Sequence, residues 1–143
     1  MRDYYIKQGP KAWEDKVPFI VTNTAVAAHF HANTIINQIK HSNKNKFVII
    51  DYGAGTGQHG WLIAKAVCTL SKEHNIPITQ FKIILTDISQ HTLDYLAAHP
   101  QIKVFVEQNL IEITQISGDW EKDLSLLTQD SSAQYSLIAN YHS

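Results

Sequence analysis

The chain has 143 residues, of which 44% are hydrophobic and 17% charged, and its formal net charge is -1. That length supports one domain with an apolar core, and the near-neutral balance excludes a broad electrostatic footprint for nucleic acid or an anionic membrane. The single cysteine, Cys68, excludes an internal disulfide and predicts a reducing, cytoplasmic compartment, and no apolar run reads as an export signal or membrane span.

Residues 1–22 hold Pro10 and Pro18 together with Tyr4, Tyr5, Trp13 and Phe19 in no regular period, which predicts an irregular arm packed on the remainder. From Thr22 the pattern turns helical, with Val26, Phe30 and Ile36 to Ile39 on one stripe and Thr22, Asn23 or Thr24 as N-cap. The helix is expected to end near Lys40, before the polar loop 41–46. Phe47-Val48-Ile49-Ile50 reads as a strand covered on both faces, and Gly53, Gly55, Gly57 and Gly60 follow it. Leu62, Ile63, Ala66, Val67 and Leu70 then recur at helical spacing up to Glu73, where Asn75-Ile76-Pro77 breaks the helix.

A second buried strand from Phe81 to Thr86 ends at Asp87, and a short helix from Ser89 to Ala98 is stopped by Pro100. Two segments compete for the third strand, Lys103 to Val106 and Ile111 to Ile116. The later one is preferred, because Gly118-Asp119 closes it and Trp120 to Leu127 reads as the next helix. A fourth strand, Tyr135 to Ala139, leads into Asn140-Tyr141-His142.

Alternating strands and helices imply an α/β fold with a doubly wound parallel sheet, since parallel neighbours need crossover helices. Residues 1–46 form an arm and helix on this reading, and residues 47–143 the sheet domain. Ligands in such sheets sit beyond the carboxyl ends of the strands, where Asp51, Asp87, Asp119 and Asn140 all fall.

The glycine segment admits three readings. A nucleotide P-loop needs Gly-Lys-Ser/Thr, and Gly57 is followed by Gln58, so that one fails. A dinucleotide site is compatible with Gly55-Thr56-Gly57-Gln58-His59-Gly60, which matches G-x-G-x-x-G. Asp51 opposes it: two like charges about 5 Å apart cost roughly 3 kcal/mol at an effective dielectric near 20. A cationic ligand reverses that sign.

The run Ile50-Asp51-Tyr52-Gly53-Ala54-Gly55-Thr56-Gly57 closely resembles motif I of the Rossmann-like class I S-adenosylmethionine-dependent methyltransferases, an acid, one residue, then Gly-x-Gly-x-Gly. The resemblance implies S-adenosyl-L-methionine as cofactor and a methyl-accepting substrate as partner. It assigns the methionine amino end to Asp51 and the lining of methionine and ribose to Gly53, Ala54 and Gly55, with Gly57 completing the motif. Asp87 resembles the acid that takes both ribose hydroxyls, with Ile88 packed on the adenine face. Asp119 resembles the residue that meets the adenine amino group, with Asn109 as the alternative and a helix N-cap as a second role for Asp119. Asn140, Tyr141 and His142 resemble motif IV, whose polar residues face the transferred methyl, but they depart from the Asn-Pro-Pro-Tyr form of enzymes that methylate base amino groups. Residues 47–143 cover the family's first four strands; three more usually follow.

Other residues carry plainer expectations. His29 and His31, two apart on a helix, face different directions and predict no metal site. His59 is expected at a solvated helix start and Cys68 in the core, while Tyr4, Tyr5 and Trp13 are candidates for a packing arm or a cofactor lid. A nicotinamide-dependent oxidoreductase and a non-catalytic cofactor-binding fragment stand as alternative functions. The apolar fourth strand, an edge without charge or proline, predicts cover by a second copy or another polypeptide.

Overall fold

The computed structural model describes residues 25–139. The aromatic arm, the proposed N-cap at residues 22–24 and the trio Asn140, Tyr141 and His142 lie outside the described residues.

Helix α1, Ala25–Lys40, precedes strand β1, Phe47–Tyr52, and helix α2, Gln58–Glu73. Strand β2 is Phe81–Asp87, followed by helices α3, Gln90–Ala98, and α4, Pro100–Glu107. Strand β3, Ile111–Gln115, helix α5, Trp120–Leu127, and strand β4, Gln134–Ala139, complete the order. The four strands form one sheet in the order β3-β2-β1-β4, and every neighbouring pair is parallel. This is the expected α/β doubly wound arrangement: the chain steps outward from β1 through β2 to β3 and then returns to the far side of β1.

One face of the sheet carries the core. Phe47 and Ile49 of β1, Phe81, Ile83 and Leu85 of β2, and Ile111 of β3 cluster with Ile36 of α1, Ile63 and Val67 of α2, Leu96 of α3 and Ile102 of α4. The period-two alternation of a strand puts Tyr52 on the opposite face, and there its hydroxyl meets Asp123 of α5. Right-handed crossovers demand this split, because the return from β3 to β4 runs opposite to the two steps before it.

One expectation holds and one changes: the later of the two competing segments is the third strand, at Ile111–Gln115. Lys103 to Val106 is not strand but lies inside α4, where Pro100 takes the first helical turn and His99 Nδ1 accepts from Gln101 N at 3.2 Å as the cap. Ile102, Phe105 and Val106 recur at three and four residues and face the core, so helical spacing outweighs the β-branched content. On α1 the buried stripe runs through Ala28, Ala32, Ile35, Ile36 and Ile39, and Phe30 stands 60% exposed. Among the described residues no helix is long and apolar enough to cross a membrane.

Candidate functional site

The carboxyl end of β1 and the turn after it are built on Thr86. This fully buried side chain donates its hydroxyl to the Asp51 carbonyl oxygen at 2.9 Å and accepts from Gly53 N at 3.2 Å. Its own carbonyl oxygen accepts from Ala54 N at 2.7 Å. Neighbouring strand ends are thereby fastened to the glycine turn by three hydrogen bonds through one residue, which leaves the turn little freedom.

The glycines divide into two kinds. Gly57, at φ +78°, caps α2, and a Cβ there would lie 2.5 Å from Leu96 Cδ2 and 2.8 Å from Ile102 Cδ1. Its amide donates to the Ala54 carbonyl oxygen at 3.0 Å. Gly57 thus seats the start of α2 on α3 and α4, and its amide is engaged within the turn rather than held out to a ligand. Gly60 is equally closed, since a Cβ there would overlap Leu85 Cδ2. Gly55, at φ +58°, is the reverse: nothing lies within 4 Å of where its Cβ would be, so the turn is open there to close approach.

Asp51, the residue before the last of β1, is fully buried, with Oδ2 3.2 Å from the position a Gly60 Cβ would take, beneath the first turn of α2. Asp87 ends β2 half-buried, and its two oxygens reach two different loops. Oδ2 accepts from Gly55 N at 3.3 Å, and Oδ1 accepts from Ser89 N at 3.0 Å. A carboxylate offers about four acceptor positions, so these two bonds leave others untaken.

Ile88 is 57% exposed, and its carbonyl oxygen accepts from Gln115 Nε2 at 2.9 Å, which pins the residue to the end of β3. Ala54 is buried within the turn. Asp119 caps α5, with Oδ1 accepting from Lys122 N at 3.3 Å. Asn109 is not at the rim: at φ +62° it follows α4 and enters β3, at the opposite end of that strand from Asp119. The strands therefore bring Asp51, Gly53, Ala54, Gly55, Asp87, Ile88 and Asp119 to one rim, as parallel topology requires.

Sequence reasoning missed three things here. Thr86 carries no signal beyond being a threonine before an acid. Tyr52 and Asp123 meet across 71 residues, with Tyr52 Oη donating to Oδ2 at 2.7 Å. His59 is not solvated, as the sequence suggests, but 1% exposed: the first turn of α2 lies against α1, and His31 Nδ1 stands 3.0 Å from His59 Nε2. Burial, aided by the neighbouring His31, lowers the His59 pKa to about 3, and burial lowers that of His31. Both rings are therefore neutral at pH 7. His29 is exposed, and among the described residues no group of three metal-ligating side chains comes together. Cys68 is half-buried against the core, and its burial pushes the thiol pKa up.

A shallow cleft of about 990 Å³ lies elsewhere, lined by Thr34, Asn37, Gln38, His41, Ser42 and Gln134 among others. It opens at the amino end of the sheet beside the first residue of β4, away from every acid of the rim.

The site is thus of the class that doubly wound parallel sheets define, a rim of strand ends around a glycine turn. No protein-family model matches the chain, and no curated protein matches it.

Proposed function

We propose that this chain binds S-adenosylmethionine at the rim and supplies the cofactor-binding part of a methyltransferase. The observation that carries the reading is Asp87, hydrogen-bonded to Gly55 N across an open glycine turn, with Asp51 near the carboxyl end of the neighbouring strand. A carboxylate at the open turn favours a ligand with a sulfonium and an ammonium, and disfavours a diphosphate. The remaining acceptor positions of Asp87 suit a ribose diol, and exposed Ile88 suits the face of a purine. Gly53, Ala54 and Gly55 would line the methionine and ribose, and Asp119 would meet the adenine amino group.

The bound cofactor would supply a methyl carbon already activated for in-line displacement. What the protein adds is alignment of the acceptor, an effect worth about 7 to 11 kcal/mol at best. Asn140, Tyr141 and His142 remain the candidates for facing the acceptor, whose class stays open.

One observation favours a second reading. Gly60 packs without clearance on Leu85 of β2, which is the close helix–strand contact that the third glycine of a dinucleotide fingerprint provides. A nicotinamide-binding oxidoreductase shares that packing and also uses an acid at the end of β2, so the two readings separate at Asp51. Calorimetric titration with S-adenosylhomocysteine and with reduced nicotinamide cofactor decides between them. Saturable binding of the first alone supports the proposal, and binding of the second alone replaces it.

We also infer that β4, an edge among the described residues, acquires a neighbouring strand in the assembled protein. The other edge, β3, is short and carries Glu112 within 3.7 Å of Lys82, whereas β4 has no charge and leaves Leu137 42% exposed.

A further inference from the structure

Helix α5 lies over the second face of the sheet with most of its surface in water. Leu126 is 59% exposed and Trp120 40%, and the one buried residue of the helix is a carboxylate, Asp123, at 3%. A carboxylate leaves water only where donors replace it. Four do so here. Oδ1 accepts from Ser117 N at 2.9 Å and Ser117 Oγ at 2.7 Å. Oδ2 accepts from Tyr52 Oη at 2.7 Å and Gly118 N at 3.0 Å. Burial pushes the Asp123 pKa up, and the hydrogen bonds from Ser117, Tyr52 and Gly118 outweigh it, holding the group at about 2 and ionised at neutral pH.

This network is not the helix cap, because Asp119 already performs that task through Lys122 N. Its bonds run backward to the turn after β3 and across to β1. Tyr52 stands between Asp51 and Gly53 in the chain, so one carboxylate ties the glycine motif to the turn that carries Asp119. The Tyr52 ring also meets Trp120 edge-on, with centroids 4.8 Å apart at 73°. Ser117 Oγ, while donating to Asp123, accepts from Asp119 N at 3.1 Å, which extends the chain of hydrogen bonds to the Asp119 backbone. On its other side the turn rests on Ile88: a Cβ at Gly118 would stand 3.0 Å from Ile88 Cδ1.

We propose that Asp123 is a positioning residue of the rim, which holds the Gly118-Asp119 turn against Ile88 and so gives the site its preference for a purine bearing an exocyclic amino group. The inference rests on the reading of the rim as an S-adenosylmethionine site. Asp119 belongs to an exposed turn, and an acceptor discriminates between ligands only when its place is fixed before they arrive. Asp123→Asn leaves one carbonyl oxygen for four donors and turns an amide N–H₂ toward the rest, so the turn is released while size is kept.

The test is a pair of titrations with S-adenosylhomocysteine and with its counterpart carrying hypoxanthine, in which a carbonyl oxygen replaces the ring amino group. Wild-type protein is expected to prefer the adenine ligand by about tenfold or more, the range of one hydrogen bond to a charged group. In Asp123→Asn the preference falls toward unity, and Tyr52→Phe, which removes one of the four donors, lowers it in the same direction by less. A purely structural role would weaken both ligands alike and leave the preference intact, which overturns the proposal. Should Asp123→Asn fail to fold by circular dichroism, Tyr52→Phe decides by the same criterion. Wild-type protein that binds both ligands equally overturns this inference alone, and wild-type protein that binds neither overturns the S-adenosylmethionine reading with it.

Discussion

Asp87 holds the glycine turn at its open point: Oδ2 accepts from Gly55 N at 3.3 Å while Oδ1 accepts from Ser89 N at 3.0 Å. The same carboxylate is therefore a staple between two loops and the proposed acceptor for a ribose diol. Asp87→Ala removes both functions, and hydrogen bonds to a charged group are worth about 1.5 to 3 kcal/mol each. Affinity for S-adenosylhomocysteine should fall about tenfold to a hundredfold in calorimetry. Unchanged affinity would mean that the ribose lies elsewhere.

The two kinds of glycine predict opposite failures. Gly57→Ala drives a methyl into Leu96 and Ile102 at a positive φ, so it should cost about 2 to 4 kcal/mol of unfolding free energy. Gly55→Ala meets no neighbouring atom and carries only the backbone strain, about 1 to 2 kcal/mol, but it places a methyl in the open turn. Urea unfolding should rank Gly57→Ala as the less stable variant, and ligand titration should rank Gly55→Ala as the weaker binder among variants that fold. Equal stability losses would contradict the packing role of Gly57.

Much of this architecture was legible because its signals are local. The β-branched runs at Phe47 and Phe81, each closed by an acid, mark buried parallel strands, and Trp120–Leu127 is helical as its spacing predicts. Helix α4 was hidden by Val104 and Val106, whose branching suits a strand, although Pro100 and the spacing of Ile102, Phe105 and Val106 spoke for a helix. What sequence could not supply are pairings across the fold. Tyr52 with Asp123 and His31 with His59 are separated by 71 and 28 residues, and no period links them. The burial of His59 follows from α1 lying on α2, a tertiary fact that overrides the usual solvation of a helix start.

The His31–His59 contact sets a pH dependence whose sign is fixed by burial. His59 titrates at about 3 in the folded chain against 6.5 when unperturbed, so between these values the unfolded chain binds the proton that the folded chain refuses. Stability from this group is complete above about pH 6.5 and is lost as pH falls toward 3, with a slope of at most about 1.4 kcal/mol per pH unit. The lowered pKa of His31 acts in the same direction. Urea midpoints measured from pH 7 to 5 should decline in the wild type and decline less in His59→Gln. Parallel declines in the two proteins would show that the buried ring is not the source.

The two edges of the sheet predict different surface behaviour. Among the described residues strand β4 pairs with β1 alone, from Gln134 to Ala139, and it carries no charged residue, with Leu137 42% exposed. Neutral exposed edges recruit further strands, and a lysine introduced there is the device by which natural sheets prevent it. If a second copy provides the cover, sedimentation of the wild type should be concentration-dependent, and Leu137→Lys should shift it to monomer. Because Leu137 is already partly in water, the substitution should change unfolding free energy by under about 1 kcal/mol, so loss of association would not be loss of fold. A wild type that is monomeric at every concentration, with β4 amides protected from hydrogen exchange, would remove the second copy as the covering strand.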